Sequence, residues 1–267
     1  MKKLVFSIFV FLAAGAAWSV SIAAHELLGH GGVCALDPQC TWLYVDAMYF
    51  SGTPQFGAWK TAGLAAGSVL NVLIGVLAFI FMLRFRHRLG VFLIPLHLLV
   101  SVSFIQAGAY IGLGGFIHEG MDFAQLIAMS ETPARTKVAF LIVGGVFVLF
   151  GVVAAKVTAP LQRGQSAEPI SWPRYLWISY LGFSATALAA SAFVPADDRW
   201  FMLAGGLGGG ALFMSFYLLG LLPFPPLKSQ PASTPTLAQQ HLAIIFSALA
   251  IIAYVVFLGS GVHFGQN

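Results

Sequence analysis

Of the 267 residues only 8% are charged, against 59% hydrophobic, and the net charge is +4. A soluble domain of this size carries about 25% charged residues because its surface faces water, so this composition excludes a water-soluble fold and makes lipid the solvent. The 13 basic residues are spread over short loops, and without a basic face there is no nucleic-acid partner to expect.

Read in chain order, seven apolar runs have the length needed to cross a ~30 Å hydrocarbon core. They cover Lys3 to Gly31, Thr61 to Leu83, Val91 to Gly112, Val138 to Ala155, Pro173 to Phe193, Trp200 to Leu222 and His241 to Leu258. The expectation is an all-α fold, a polytopic transmembrane helical bundle of about seven spans. Residues 1–267 then form a single integral membrane domain, with a core over 1–125 and accessory spans over 138–267. Met1-Lys2-Lys3 followed by an apolar run has the outline of a secretory signal. Cleavage after Ala23-Ala24 would strand a histidine cluster at a new terminus, so the segment reads as an uncleaved first span.

Basic residues set the orientation, because cytoplasmic loops carry an excess of Lys and Arg. With the N-terminus inside, nine fall on the cytoplasmic side: Lys2, Lys3, Arg84, Arg86, Arg88, Lys156, Arg163, Arg174 and Lys228. Lys60, Arg135, Lys137 and Arg199 alone fall outside. The sequence therefore predicts a multi-pass protein of the cell (inner) membrane with a cytoplasmic N-terminus. Cys34 and Cys40 share the first outer loop, where the compartment permits a disulfide.

The chemistry concentrates at the outer end of the first span, in His25-Glu26-Leu27-Leu28-Gly29-His30. Ionisable side chains in an apolar span are costly and mark function. Neutral imidazoles bind zinc, and an adjacent glutamate can take the proton from a zinc-activated water. In HExxH the two histidines share one helical face. Here they are one residue further apart. On a regular helix, at ~100° per residue, positions i and i+5 lie about 140° apart, against ~40° for i and i+4. A π-bulge at Gly29 absorbs the extra residue and returns both rings to one side. A third ligand on the same side has three candidates in one loop, His118, Glu119 and Asp122.

The hexapeptide resembles the zinc motif of the dipeptidyl peptidase III family. That likeness implies His25 and His30 as zinc ligands and Glu26 as general base. Over the first half of the chain, the order of motifs resembles the site-2 protease family of intramembrane zinc metalloproteases. A His-Glu…His helix comes first, an Asn-containing helix follows at Gly67-Ser68-Val69-Leu70-Asn71, and an aspartate stands after the third helix at Asp122. The resemblance implies that Asp122 completes the zinc site and that Asn71 holds substrate backbone; by residue type alone Asn71 reads equally as a polar bond between helices. The expected activity is zinc-dependent hydrolysis of peptide bonds in membrane-anchored polypeptides, at a site toward the outer face. The alternative is a non-enzymatic multi-pass protein, a metal or proton transporter or a scaffold, in which His25, Glu26, Asn71, His97 and Gln106 line a polar path.

Overall fold

Leu, Ala, Phe and Val dominate the apolar runs, and in a bilayer only a helix satisfies every backbone N–H and C=O within one segment. The computed structural model describes residues 3–37, 40, 42–45, 59–117, 122–163, 171–193, 207, 237–259 and 261–265. Helix α1 (Lys3–Ala23) runs without a break into a π-helix, Ala24–His30, and then into α2 (Gly31–Leu36). Strand β1 (Trp42–Val45) follows, then α3 (Lys60–Leu89), a 3-10 turn at Gly90–Phe92 and α4 (Leu93–Ile117). The short α5 (Asp122–Ala128) leads to α6 (Pro133–Arg163) and α7 (Trp172–Ser191). The last helix is α8 (Leu237–Ala253), which passes through a second π-helix, Tyr254–Leu258, to β2 (Val262–Gly265).

Among the described residues, five helical stretches are long and apolar enough to cross a membrane: Leu4–Leu36, Lys60–Phe85, Gly90–Phe116, Pro133–Thr158 and Ala238–Leu258. The first spans 33 residues, about 50 Å at 1.5 Å per residue, well beyond the hydrocarbon thickness. The span expected at Pro173 to Phe193 is helical as α7, yet is not among the five. Arg174, Ser179, Ser184, Thr186 and Ser191 make it too polar. Three of its hydroxyls bond back to their own helix, Ser179 to the Tyr175 carbonyl, Thr186 to that of Gly182 and Ser191 to that of Leu188. The span expected at Trp200 to Leu222 lies outside the described residues.

Two helices form the centre of the bundle. Helix α1 packs on α7, α8 and α4, while α4 packs on α3 and α6 as well. One core cluster lies between α1, α4, α7 and α8 and includes Phe9, Ile22, Leu98 and Phe183. Another, with Met82, Leu93, Phe104 and Ala154, joins α3, α4 and α6. Lipid tails are as apolar as leucine, so these helices are held by close contact and hydrogen bonds more than by expulsion of water. The α4–α6 contact shows how. A Cβ on Gly144 would sit 2.5 Å from the Gly108 carbonyl oxygen and from Gly112 Cα, so only glycine permits this approach of backbones. Outward faces carry exposed Leu77, Phe81, Ile142, Val146, Phe246 and Phe257, the surface expected of helices turned toward hydrocarbon.

Gly90, with φ 50°, makes the turn between α3 and α4. That left-handed backbone favours glycine and lets α4 fold back beside α3. At the other end of the bundle β1 and β2 pair antiparallel, with Trp42 opposite Gly265 and Val45 opposite Val262. This pairing ties the chain that follows α2 to the chain that follows α8. Cys34 and Cys40 are joined in a disulfide with Cα atoms 5.3 Å apart, closing the turn directly after α2.

Candidate metal centre

The π-helix is the local feature that builds the site. Its hydrogen bonds run from residue i+5 back to residue i, and the Gly31 N–H donates to the Glu26 carbonyl in that pattern. One residue has been taken up within the turn, so His25 and His30 come to one side despite their i, i+5 spacing. Their ring centroids are 5.0 Å apart, edge to face. His25, Glu26 and His30 are all buried. Leu28, in the same turn, is 67% exposed, so the extra residue swells the outer side of the helix and not the packed one.

Helix α3 crosses this turn at its two glycines. A Cβ on Gly29 would lie 2.6 Å from Gly67 Cα, and one on Gly67 would lie 2.5 Å from His25 Nε2 and 2.7 Å from His30 Nε2. Both ring nitrogens therefore converge over the bare backbone of Gly67. Each ring is also held from behind by α3. The His30 Nδ1–H donates to the Gly63 carbonyl at 2.7 Å, which leaves the lone pair on Nε2. On His25, Nδ1 faces the Asn71 amide at 3.1 Å. Gly63, Gly67 and Asn71 are spaced by four, hence one stripe of α3.

The third member comes from α5. Phe123 is buried and meets the Phe140 ring of α6 edge-on at 5.1 Å, and Ile127 lies against Gly115 of α4. These contacts seat the start of α5, where Asp122 Oδ2 is 3.2 Å from His30 Nε2. One ligand atom each from His25, His30 and Asp122 falls within 4.8 Å of the others, a group able to hold a metal ion. His25 Nε2 is buried and has no hydrogen-bond partner among the described residues. It is 4.0 Å from Glu26 Oε1. A buried nitrogen left so is costly, and a cation between the rings would satisfy it.

Of the residues singled out from sequence, His25, Glu26, His30 and Asp122 are brought together. His118 and Glu119 lie outside the described residues. Asn71 is fully buried against the back of the His25 ring. Gln106 joins the same region through Ser21, whose hydroxyl donates to Gln106 Oε1 at 2.7 Å. His97 is elsewhere, with Nδ1 2.8 Å from Thr158 Oγ1 and its ring edge-on to Trp172 and Tyr175.

Three contributors were not read from sequence: the Gly63 carbonyl, the Gly67 platform and Tyr110, whose ring lies 4.7 Å from that of His25. The recurrence of Gly63, Gly67 and Asn71 at intervals of four was the available signal for the first two. No family model, curated protein or solved structure matches the chain.

Proposed function

We propose that the protein is a zinc-dependent, membrane-embedded metallopeptidase that hydrolyses peptide bonds of membrane-anchored polypeptides. The observation that carries this reading is the convergence of His25, His30 and Asp122 beside a buried glutamate. The 3.2 Å between His30 Nε2 and Asp122 Oδ2 is close to the ~3.3 Å edge of a tetrahedron built with zinc–ligand distances of about 2.0–2.2 Å. Two imidazoles and one carboxylate leave one of four positions open, as a catalytic zinc requires. Zinc supplies Lewis acidity, polarising a carbonyl and acidifying water.

The remaining work belongs to the chain. Glu26, next to His25 in the π turn, accepts a proton from the attacking water and returns it to the leaving amine. Burial beside the metal group keeps that carboxylate away from bulk water. A helical substrate shields its carbonyls, so it must be extended to react, and the β1–β2 ribbon offers strand edges with which an extended segment can pair. By charge bias the site faces the outer side of the membrane. A transporter needs polar groups strung through the bilayer; the gathering of His25, Glu26, Asn71 and Gln106 at one end of α1, with His97 apart from them, favours the hydrolase.

Glu26→Gln tests the proposal in purified protein supplied with membrane-anchored peptide. The variant is expected to keep about one zinc per chain and to lose cleavage by roughly 10²–10⁴-fold, the usual worth of a general base. Stoichiometric zinc with unaltered processing would remove Glu26 from the chemistry.

A further inference from the structure

The Ser21, Asn71 and Gln106 side chains come from three different helices, α1, α3 and α4, and meet behind His25. All are buried. Ser21 Oγ lies 2.7 Å from Gln106 Oε1, 3.4 Å from Ser103 Oγ and 3.5 Å from Asn71 Oδ1. Asn71 Nδ2 in turn lies 3.1 Å from His25 Nδ1. Packing alone does not call for so many polar groups in one place.

The direction of the last contact matters. With Nδ2–H presented to His25, Nδ1 is the acceptor and the imidazole proton sits on Nε2. That nitrogen faces the metal group and has no hydrogen-bond partner among the described residues. An N–H cannot ligate a metal, since the lone pair is what binds. A half-turn of the Asn71 amide exchanges its two ends, which are near-identical in shape. Oδ1 then accepts from Nδ1–H, Nε2 carries the lone pair, and the amide NH₂ faces Ser21 Oγ, which can accept. Metal-bound histidines commonly donate their second N–H to an oxygen in this way, which fixes tautomer and ring orientation. His30 already does so toward the Gly63 carbonyl.

We propose that Asn71 is a positioning residue of the metal centre: its amide oxygen holds His25 in the tautomer that ligates through Nε2, with Ser21 and Gln106 bracing the amide. This rests on the metal reading of His25, His30 and Asp122. It gives Asn71 a role behind a ligand in place of contact with substrate backbone. The residue acts only through His25.

The test uses the full chain in detergent, zinc as the probe and competition against a chromogenic chelator as the readout, with no need for a substrate. Asn71→Leu is expected to weaken zinc binding about 10–100-fold, the usual cost of losing such a partner. Asn71→Asp, which can only accept, is expected to bind zinc as tightly as the parent or more so. If Asn71 merely joined helices, the buried carboxylate would be at least as harmful as leucine. Unchanged affinity in Asn71→Leu, or equal losses in both variants, overturns the proposal. Should Asn71→Leu not fold, Ser21→Ala carries the test, with a smaller loss in the same direction supporting the bracing and no loss overturning it. Absence of zinc from the parent chain would instead overturn the metal reading itself.

Discussion

Replacing Gly67 by alanine adds one methyl group at the point where both Nε2 atoms converge. That carbon would stand 2.5 Å from His25 Nε2 and 2.7 Å from His30 Nε2, about 0.9 Å short of the 3.4 Å at which ordinary contact begins for the closer ring. Neither ring can swing freely aside, because Asn71 and the Gly63 carbonyl hold them from behind. Nor can α3 back away without losing its contact with Gly29. Overpacking of this kind costs about 1–3 kcal/mol, and metal–ligand distances tolerate only about 0.2 Å of error. If that strain falls on the site, zinc affinity drops roughly 10–100-fold, at tenfold per 1.4 kcal/mol. The assay is chelator competition on protein shown by circular dichroism and gel filtration to be folded. Gly32→Ala is the control, since nothing lies within 4 Å of the added carbon there. A folded Gly67→Ala chain with parental zinc affinity would refute the placement of the two rings over α3.

Deleting Leu28 removes the residue that the π turn accommodates and restores the i, i+4 spacing of a regular helix. Because Leu28 is exposed, the deletion takes nothing from the core, and zinc stoichiometry is expected to persist. Loss of zinc from the folded deletion variant would mean that the bulge sets the site by more than register. The paired change Cys34→Ser and Cys40→Ser opens a disulfide with a sequence separation of 6, and so short a loop is worth about 2 kcal/mol. Melting with and without reductant measures it, and an unaltered midpoint in fully reduced protein would contradict that role.

Parts of the site are illegible in the sequence because they join residues far apart in the chain. His25, Glu26 and His30 are neighbours, and the cost of burying them in an apolar span marked them without any fold. Their spacing even called for a π turn, because no regular helix brings positions i and i+5 to one side. Asp122 follows only from the order of motifs, and neither spacing nor periodicity chooses it over His118 or Glu119. Gly63 and Gly67 show in the sequence only as a four-residue recurrence with Asn71, and Tyr110 not at all, since the role of each depends on where α3 and α4 cross the first helix. Asn71 was visible as a polar residue in a span, but not as the partner of a histidine 46 positions earlier.

The chain by itself determined that this is a multi-span helical membrane protein with a His-Glu…His group at one end of its first helix. Composition and local spacing suffice for that, because lipid punishes every unsatisfied backbone group and every idle charge in the same way at any position. The tertiary structure decided what surrounds the group: a glycine backbone beneath the rings, a carbonyl and an amide behind them, and a carboxylate from α5 in front. Those contacts arise where helices cross, and crossing points depend on how whole surfaces fit together, which no single segment encodes.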